Sequence, residues 1–116
     1  MSTESPQQHL GPSESLEVVT LFIGLNSLTG RNTEESRARA IAILGESFPS
    51  FTVTEGTGFF RGKEEPVLVV HIATTLPQQA ADCVARIRAE LHQEGVGIAF
   101  RGHYFRSIEG HIPQIT

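Results

Sequence analysis

Apolar residues run densely or alternate in four stretches of the chain and recur at helical spacing in two others. "LEVVTLFIGLN" (16–26), rich in β-branched and aromatic residues, predicts a strand, and the "NSLTGRN" that follows has loop chemistry. In 33–48, Ala38, Ile41, Gly45 and Phe48 share one helical face. Thr33 is placed to cap this helix, Glu34 and Glu35 put negative charge in its first turn, and Pro49 stops it. "FTVTEGTGFF" (51–60) sets Phe51, Val53 and Glu55 against Thr52 and Thr54, a strand that loosens at Gly56 and Gly58. "RGKEE" reads as a turn and "PVLVVHIAT" (66–74) as the most apolar strand. A second helix opens at Thr75 and Pro77 with the stripe Ala80, Cys83, Val84, Ile87 and Leu91. Arg86 and Arg88 lie largely off that stripe, and Gly95 is the expected residue past the helix end. "VGIAFRGHYFRSI" (96–108) predicts one last strand, and "EGHIPQIT" a short loose end.

The order strand, helix, strand, strand, helix, strand predicts an α+β, ferredoxin-like βαββαβ domain over residues 16–109. Four antiparallel strands would carry two helices on one face. Residues 1–15, rich in Ser, Pro, Gln and Glu, cannot offset their ordering entropy by burial and predict a disordered tail; residues 110–116 form a C-terminal tail. With both helices on one face, the other face of a monomer would be polar. It is not: Thr20, Phe22 and Gly24 alternate with Val19, Leu21, Ile23 and Leu25, and Val67, Val69 and His71 with Leu68, Val70 and Ile72. No segment is left over to cover the second face, which predicts a homo-oligomer.

Composition narrows the function classes. Nine Lys and Arg against thirteen Asp and Glu leave a formal charge of −4, which argues against nucleic acid or an anionic membrane as partner. The single cysteine excludes an intrachain disulfide and fits a reducing, cytoplasmic setting. No stretch is long and apolar enough to span a bilayer, and the polar N-terminus lacks the pattern of a secretory signal.

Candidate chemistry is sparse. The five histidines (His9, His71, His92, His103, His111) show neither HxH nor HExxH spacing, so no metal site is expected and His71 reads as an interface or core residue. Cys83 on a buried stripe reads as core. "GTGFFRG" has turn glycines without phosphate-loop spacing, and "GLNSLTGRN" after the first strand is a weak offer of backbone N–H groups. What remains is Glu64 and Glu65. A charged turn beside Arg61 and Lys63 accounts for both. Pro66, however, holds Glu65 extended at the rim of a strand apolar on both sides. A carboxylate there beside Phe59, Phe60 or Tyr104 suits a cationic small molecule through charge pairing and cation–π contact. Neighbouring side chains in extended chain point oppositely, so Glu65 is the expected site residue and Glu64 mainly a solvated charge. Gln93, in "ELHQEGV", is a further candidate contact.

The strand "TVTEGTGFF", the glutamates before the next apolar strand and the helix ending "LHQEGV" resemble the phage-encoded enzymes that degrade S-adenosylmethionine, once called hydrolases and now understood as lyases. The resemblance spans about residues 18–108. It implies a ferredoxin-like subunit in a PII-like homotrimer, with ligand sites between subunits. It implies Glu65 as the residue most tied to activity, with Glu64 its neighbour, and Gln93 as a matching glutamine; Phe59, Phe60 and Tyr104 stand as candidate substrate contacts on the cation–π argument alone. It also implies intramolecular cleavage to methylthioadenosine and homoserine lactone without metal or other cofactor. The chain departs from the family where a tyrosine is expected after the strand-2 glycines: Phe59 and Phe60 stand there, and Tyr104 is the only tyrosine available as substitute. Two other readings stay open. One is a PII-like module that binds an adenine nucleotide or other effector without turnover, for which Arg31, Arg61, Lys63 and Arg101 are available cations. The other is an assembly or inhibitor subunit that works through its surface.

Overall fold

Of the 116 residues, the computed structural model describes 16–26 and 32–115; the expected N-terminal tail and Arg31 lie outside the described residues. The elements are β1 (Glu17–Gly24), α1 (Thr33–Ser47), β2 (Thr52–Phe60), β3 (Lys63–Thr74), α2 (Pro77–Glu90), β4 (Gly95–Phe100) and β5 (His103–Ile108). They build one antiparallel sheet in the order β2-β3-β1-β4-β5. The first four positions are the ferredoxin-like arrangement, with β5 added at the β4 edge.

Period-2 alternation divides the sheet. Val19, Leu21 and Ile23 of β1, Leu68, Val70 and Ile72 of β3, and Val96 and Ile98 of β4 are fully buried beneath the helices, with Phe100 nearly so. At roughly 1.5–3 kcal/mol for each fully buried large apolar side chain, this layer is the main source of stability. α2 contributes the expected stripe of Ala80, Cys83, Val84, Ile87 and Leu91. Burial raises the Cys83 thiol pKa, a shift partly opposed by a hydrogen bond with Ser47, so the group stays protonated at neutral pH.

The expected face of α1 is corrected. Of that face only Phe48 is buried as expected; beside it Ser36, Ala40, Ile43 and Leu44 are buried, whereas Ala38 and Gly45 are exposed and Ile41 is half-buried. Both sets have helical spacing, but Ile43 and Leu44 remove more apolar surface from water and take the inside. The cap is Asn32, not Thr33. Glu35 N–H donates to Asn32 Oδ1 at 2.8 Å and Asn32 N–H to Glu35 Oε1 at 3.3 Å, a capping box that leaves Thr33 as the first helical residue.

The expected single last strand is also corrected: it is a hairpin, so the sheet has five strands. Among the described residues, the β2–β3 and β4–β5 hairpins turn on the same tripeptide, Phe-Arg-Gly. Arg61 and Gly62 have φ of 53° and 78°, and Arg101 and Gly102 repeat those values, as a two-residue turn matched to strand twist requires. In each, the arginine guanidinium lies over the preceding ring, 4.9 Å from Phe60 and 5.0 Å from Phe100, which offsets part of the cost of a left-handed arginine. The first turn is therefore only Arg61–Gly62, and Lys63 to Glu65 already belong to β3. Pro66 sits inside that strand without loss. Its carbonyl accepts from Leu25 N–H at 2.9 Å on the β1 side, so its missing donor faces the end of β1 and not the β2 ladder.

The C-terminal residues are docked, not loose. Gln78 Nε2 donates to the Pro113 carbonyl and Ile115 N–H donates back to Gln78 Oε1, both at 3.0 Å, which seats Ile115 at 2% exposure.

α1 and α2 are tied on their outer faces by alternating charges. Arg39 reaches Glu90 at 2.5 Å, Glu90 meets Arg86 at 2.9 Å, and Arg86 meets Glu46 at 2.5 Å. The hydrogen bonds from Arg86 and Arg39 lower the Glu90 pKa below the usual carboxylate range. A carboxylate depressed in the folded state stabilises above its unfolded pKa, and the contribution is lost as pH falls through the folded value. Glu90→Gln is expected to lower the melting temperature at pH 7, with the difference from wild type closing as pH falls below the carboxylate range. Thermal melts of both proteins across pH, at low salt, check this; a difference that persists in strong acid contradicts it.

Candidate ligand-binding cleft

The face of the sheet away from the helices is not covered by the described residues. Along it, β1 presents Thr20, Phe22 and Gly24; β2 presents Gly56, Gly58 and Phe60; β3 presents Glu65, Val67, Val69 and His71; β4 presents Gly95, Gly97 and Ala99; and β5 presents Tyr104 and Arg106. Five of these positions are glycine. Where three strands, β1, β2 and β4, bring five glycines to one end of one face, those positions raise no side chain of their own and a hollow of about 450 Å³ results. Its walls are Phe22, Phe59, Phe60, Tyr104, Glu65 and Arg106, and a second hollow of about 400 Å³ continues past Glu65 to Gln93, Arg61 and Lys63. The glycines that sequence reasoning assigned to a loosened strand are the floor of a cleft in a continuous one.

Glu65 and Gln93 converge at Gly24. A Cβ there would stand 2.9 Å from Gln93 Oε1 and 3.0 and 3.1 Å from the two carboxylate oxygens of Glu65. The absent side chain of Gly24 lets an acid from β3 and an amide from beyond α2 lie side by side on the β1 backbone. Gln93 is fixed there by the helix end. α2 closes in a Schellman arrangement: Gln93 N–H donates to the Arg88 carbonyl at 3.0 Å and His92 N–H to the Ala89 carbonyl at 3.2 Å. The left-handed position is His92 (φ 56°), not the expected Gly95, which opens β4. The Arg88 guanidinium donates to the Gln93 carbonyl at 3.3 Å, and Gln93 Nε2 donates to the carbonyl of Asn26. Backbone and side chain of Gln93 are both held, and its Oε1 is left toward Glu65.

The aromatic candidates separate by strand register. Phe60 lies on the cleft face at 36% exposure and carries two guanidinia, Arg61 at 4.9 Å and Arg106 at 5.3 Å. Phe59, 73% exposed, is on the opposite face and reaches the hollow only at its edge. Tyr104 crosses from β5 over Gly97, where a Cβ would overlap its hydroxyl, and its ring stands 6.2 Å from Phe22. Glu64 pairs with Phe59 on the helix side of the sheet, exposed and outside both hollows. The adjacent acids therefore part, with only Glu65 in the cleft.

Sequence reasoning missed Arg106, Phe22 and Gly24 as cleft residues. The signal was available for Arg106: it shares parity with Tyr104 in "HYFRSI", but reading 96–108 as one strand concealed which neighbours it would meet. Of the cations considered, Arg61 and Lys63 line the second hollow, while Arg101 is held at 2.7 Å by both oxygens of Glu17, away from it. His71, expected as an interface or core residue, is exposed, with Nδ1 3.1 Å from Thr20 Oγ1. Among the described residues, no three His, Cys, Asp or Glu side chains converge as metal ligands would.

Fold and cleft define a class: a ferredoxin-like α+β domain with an added edge strand and an aromatic-walled hollow on its helix-free face. Two solved structures share this fold over nearly the whole chain. One is a phage SAM lyase in the apo state, with a TM-score of 0.63 and 16% identity over 96% of this chain and 98% of that one. The other is a phage SAM lyase in complex with S-methyl-5′-thioadenosine, with a TM-score of 0.56 and 19% identity over 93% and 96% of the respective chains. At such identities the likeness is one of fold. No family model and no curated protein matches the chain.

His92 adopts a conformation that costs a non-glycine residue about 1–2 kcal/mol, while glycine there loses about 0.4–1 kcal/mol more chain entropy on folding. His92→Gly is therefore expected to stabilise the fold by about 0.5–1 kcal/mol, read as a shift in the urea midpoint. A loss of stability would mean that the imidazole makes a compensating contact.

Proposed function

We propose that this chain is an S-adenosylmethionine lyase that cleaves its substrate within the molecule. The observation that carries the reading is the meeting of Glu65 and Gln93 at Gly24 beside the aromatic hollow. An acid and an amide from distant parts of the chain share the second, small-molecule-sized hollow, which Glu65 joins to the aromatic one, on a fold shared with phage SAM lyases. The bound product in the second neighbour supports an adenosyl ligand, for which the rings of Phe22, Phe60 and Tyr104 offer stacking surface. Tyr104 supplies the one phenol of the cleft and is the natural stand-in for the tyrosine expected near Phe59 and Phe60.

In the proposed reaction the substrate's own carboxylate oxygen attacks its γ-carbon. The carbon–sulfur bond breaks with its electron pair going to sulfur, which consumes the sulfonium charge and releases methylthioadenosine and homoserine lactone. No proton changes hands. The protein's task is to fold the methionyl chain into a near-attack shape, so its contribution is orientation. A carboxylate against the sulfonium would stabilise the ground state, whose charge is lost on the way to product, and slow the step. Glu65 is accordingly assigned to the α-ammonium, with Gln93 beside it.

The same face carries an apolar surface that includes Val18 and Tyr104, 58% and 63% exposed. A homotrimer that seats these against neighbouring copies, with the clefts between subunits, belongs to the proposal. A second reading, an adenine-nucleotide-binding module without turnover, is favoured by Arg61, Lys63 and Arg106 around the second hollow.

Incubation with S-adenosylmethionine followed by chromatography is expected to yield methylthioadenosine and homoserine lactone. ADP and ATP titrations run alongside test the second reading, and nucleotide binding without product would favour it. Glu65→Gln is expected to cost about 2–5 kcal/mol in kcat/KM, as for truncating one partner of a desolvated charge pair. Glu64→Gln, on the solvated face, is expected to cost under about 1 kcal/mol. Equal and small effects of the two changes would refute the assignment of Glu65. Light scattering is expected to give three times the chain mass of 12.6 kDa; a monomer at micromolar concentration would refute the intersubunit site.

A further inference from the structure

Most arginines of the protein are already engaged. Arg37, Arg39, Arg61, Arg86 and Arg101 each pair with a carboxylate, and Arg88 donates to the Gln93 carbonyl. Among the described residues, Arg106 has neither kind of partner. Its guanidinium stands 5.3 Å from the centre of the Phe60 ring and lies across Gly95, where a Cβ would overlap it. Ring and glycine seat the cation without neutralising it. Glu65 lines the same two hollows and is likewise without a cationic partner among the described residues. An acid and a guanidinium that share a cleft without bonding to each other present opposite charges at separate points. The α-amino-acid end of a ligand, an ammonium and a carboxylate on one carbon, has the matching pattern.

The geometry points to Arg106 as the residue that receives the ligand's α-carboxylate while Glu65 receives its α-ammonium, so that the cleft selects a zwitterionic amino-acid group. This rests on the lyase reading and deepens it, because that carboxylate is the nucleophile. Its negative charge is consumed as the ring closes, so a buried, doubly bonded arginine would hold the ground state too firmly. Arg106 is exposed and pinned by a ring, and one donor from it can orient one carboxylate oxygen while the other faces the γ-carbon. The electron pair of the new oxygen–carbon bond comes from that free oxygen, and the pair of the broken bond leaves on sulfur as methylthioadenosine.

The test compares S-adenosylmethionine with its decarboxylated analogue, which keeps the ammonium and sulfonium but lacks the carboxylate. Affinities are measured by calorimetry for wild type, Arg106→Gln and Arg106→Lys. Arg106→Gln is expected to weaken S-adenosylmethionine at least about tenfold while leaving the analogue within about twofold of wild type, the difference one charge-assisted hydrogen bond makes. Arg106→Lys is expected to recover part of the loss and, by keeping the charge, to separate recognition from a folding defect. Equal weakening of both ligands by Arg106→Gln, or no change in either, would overturn the assignment of Arg106 alone. Failure of the wild-type protein to bind S-adenosylmethionine would overturn the lyase reading and this inference with it.

Discussion

Gly24, Gly56, Gly58, Gly95 and Gly97 fall on one face of one sheet, and the cleft follows from the side chains they lack. A strand position without a Cβ leaves a depression one side chain deep, and it lets a long neighbour lie flat across the backbone. Both effects operate here. Gly56 and Gly58 open the floor on the β2 side, while Gly95 and Gly97 accept Arg106 and Tyr104 from β5. At the centre, Gly24 admits two side chains at once, the Glu65 carboxylate and the Gln93 amide. An alanine at Gly24 would set a methyl group against both, and the pair could no longer share its seat.

The groups so placed come from regular elements and their ends, not from long loops. Glu65 lies within β3, Tyr104 and Arg106 within β5, and Gln93 two residues past the cap of α2 in a closure with two backbone hydrogen bonds. The buried layer beneath the helices holds these strands in register. Such rigidity suits the proposed reaction, which asks for orientation more than for acid, base or nucleophile from the protein. The two Phe-Arg-Gly hairpins contribute as well, because Phe60, which closes one turn, is also the ring on which Arg106 rests.

The cleft and the uncovered apolar surface are one continuous face. α1 and α2 bury the odd positions of β1, and the even positions, with Val18, Thr20 and Phe22 leading into Gly24, run from exposed apolar surface into the hollow. In the proposed trimer a neighbouring copy would remove apolar area from water and dry the cleft in the same step, strengthening the charge interactions of Glu65 and Arg106.

Much of the fold was legible in the chain because it is written in local period. The order of elements, the α2 stripe and the odd-numbered buried positions of β1 follow from alternation and helical spacing, and the opposite aims of Glu64 and Glu65 from strand geometry alone. Other features depend on energies compared across the chain. Ala38–Ile41–Gly45 and Ala40–Ile43–Leu44 are equally helical in spacing, and only the sheet beneath, rewarding the larger buried area, selects the second. The hairpin at Arg101–Gly102 carries no Asn-Gly or Asp-Gly signal, and its arginine is helped by contact with Phe100 that becomes available once the chain turns. Register decided the site. The sequence by itself determined that Glu65 would stand extended before Pro66, that Gln93 would close a helix and that β1 and β3 would carry apolar residues on both faces. The tertiary structure decided that Gly24 lies beneath both side chains and that Arg106 joins them, since pairing distances between strands far apart in sequence are set by hydrogen-bond register and not by any spacing along the chain.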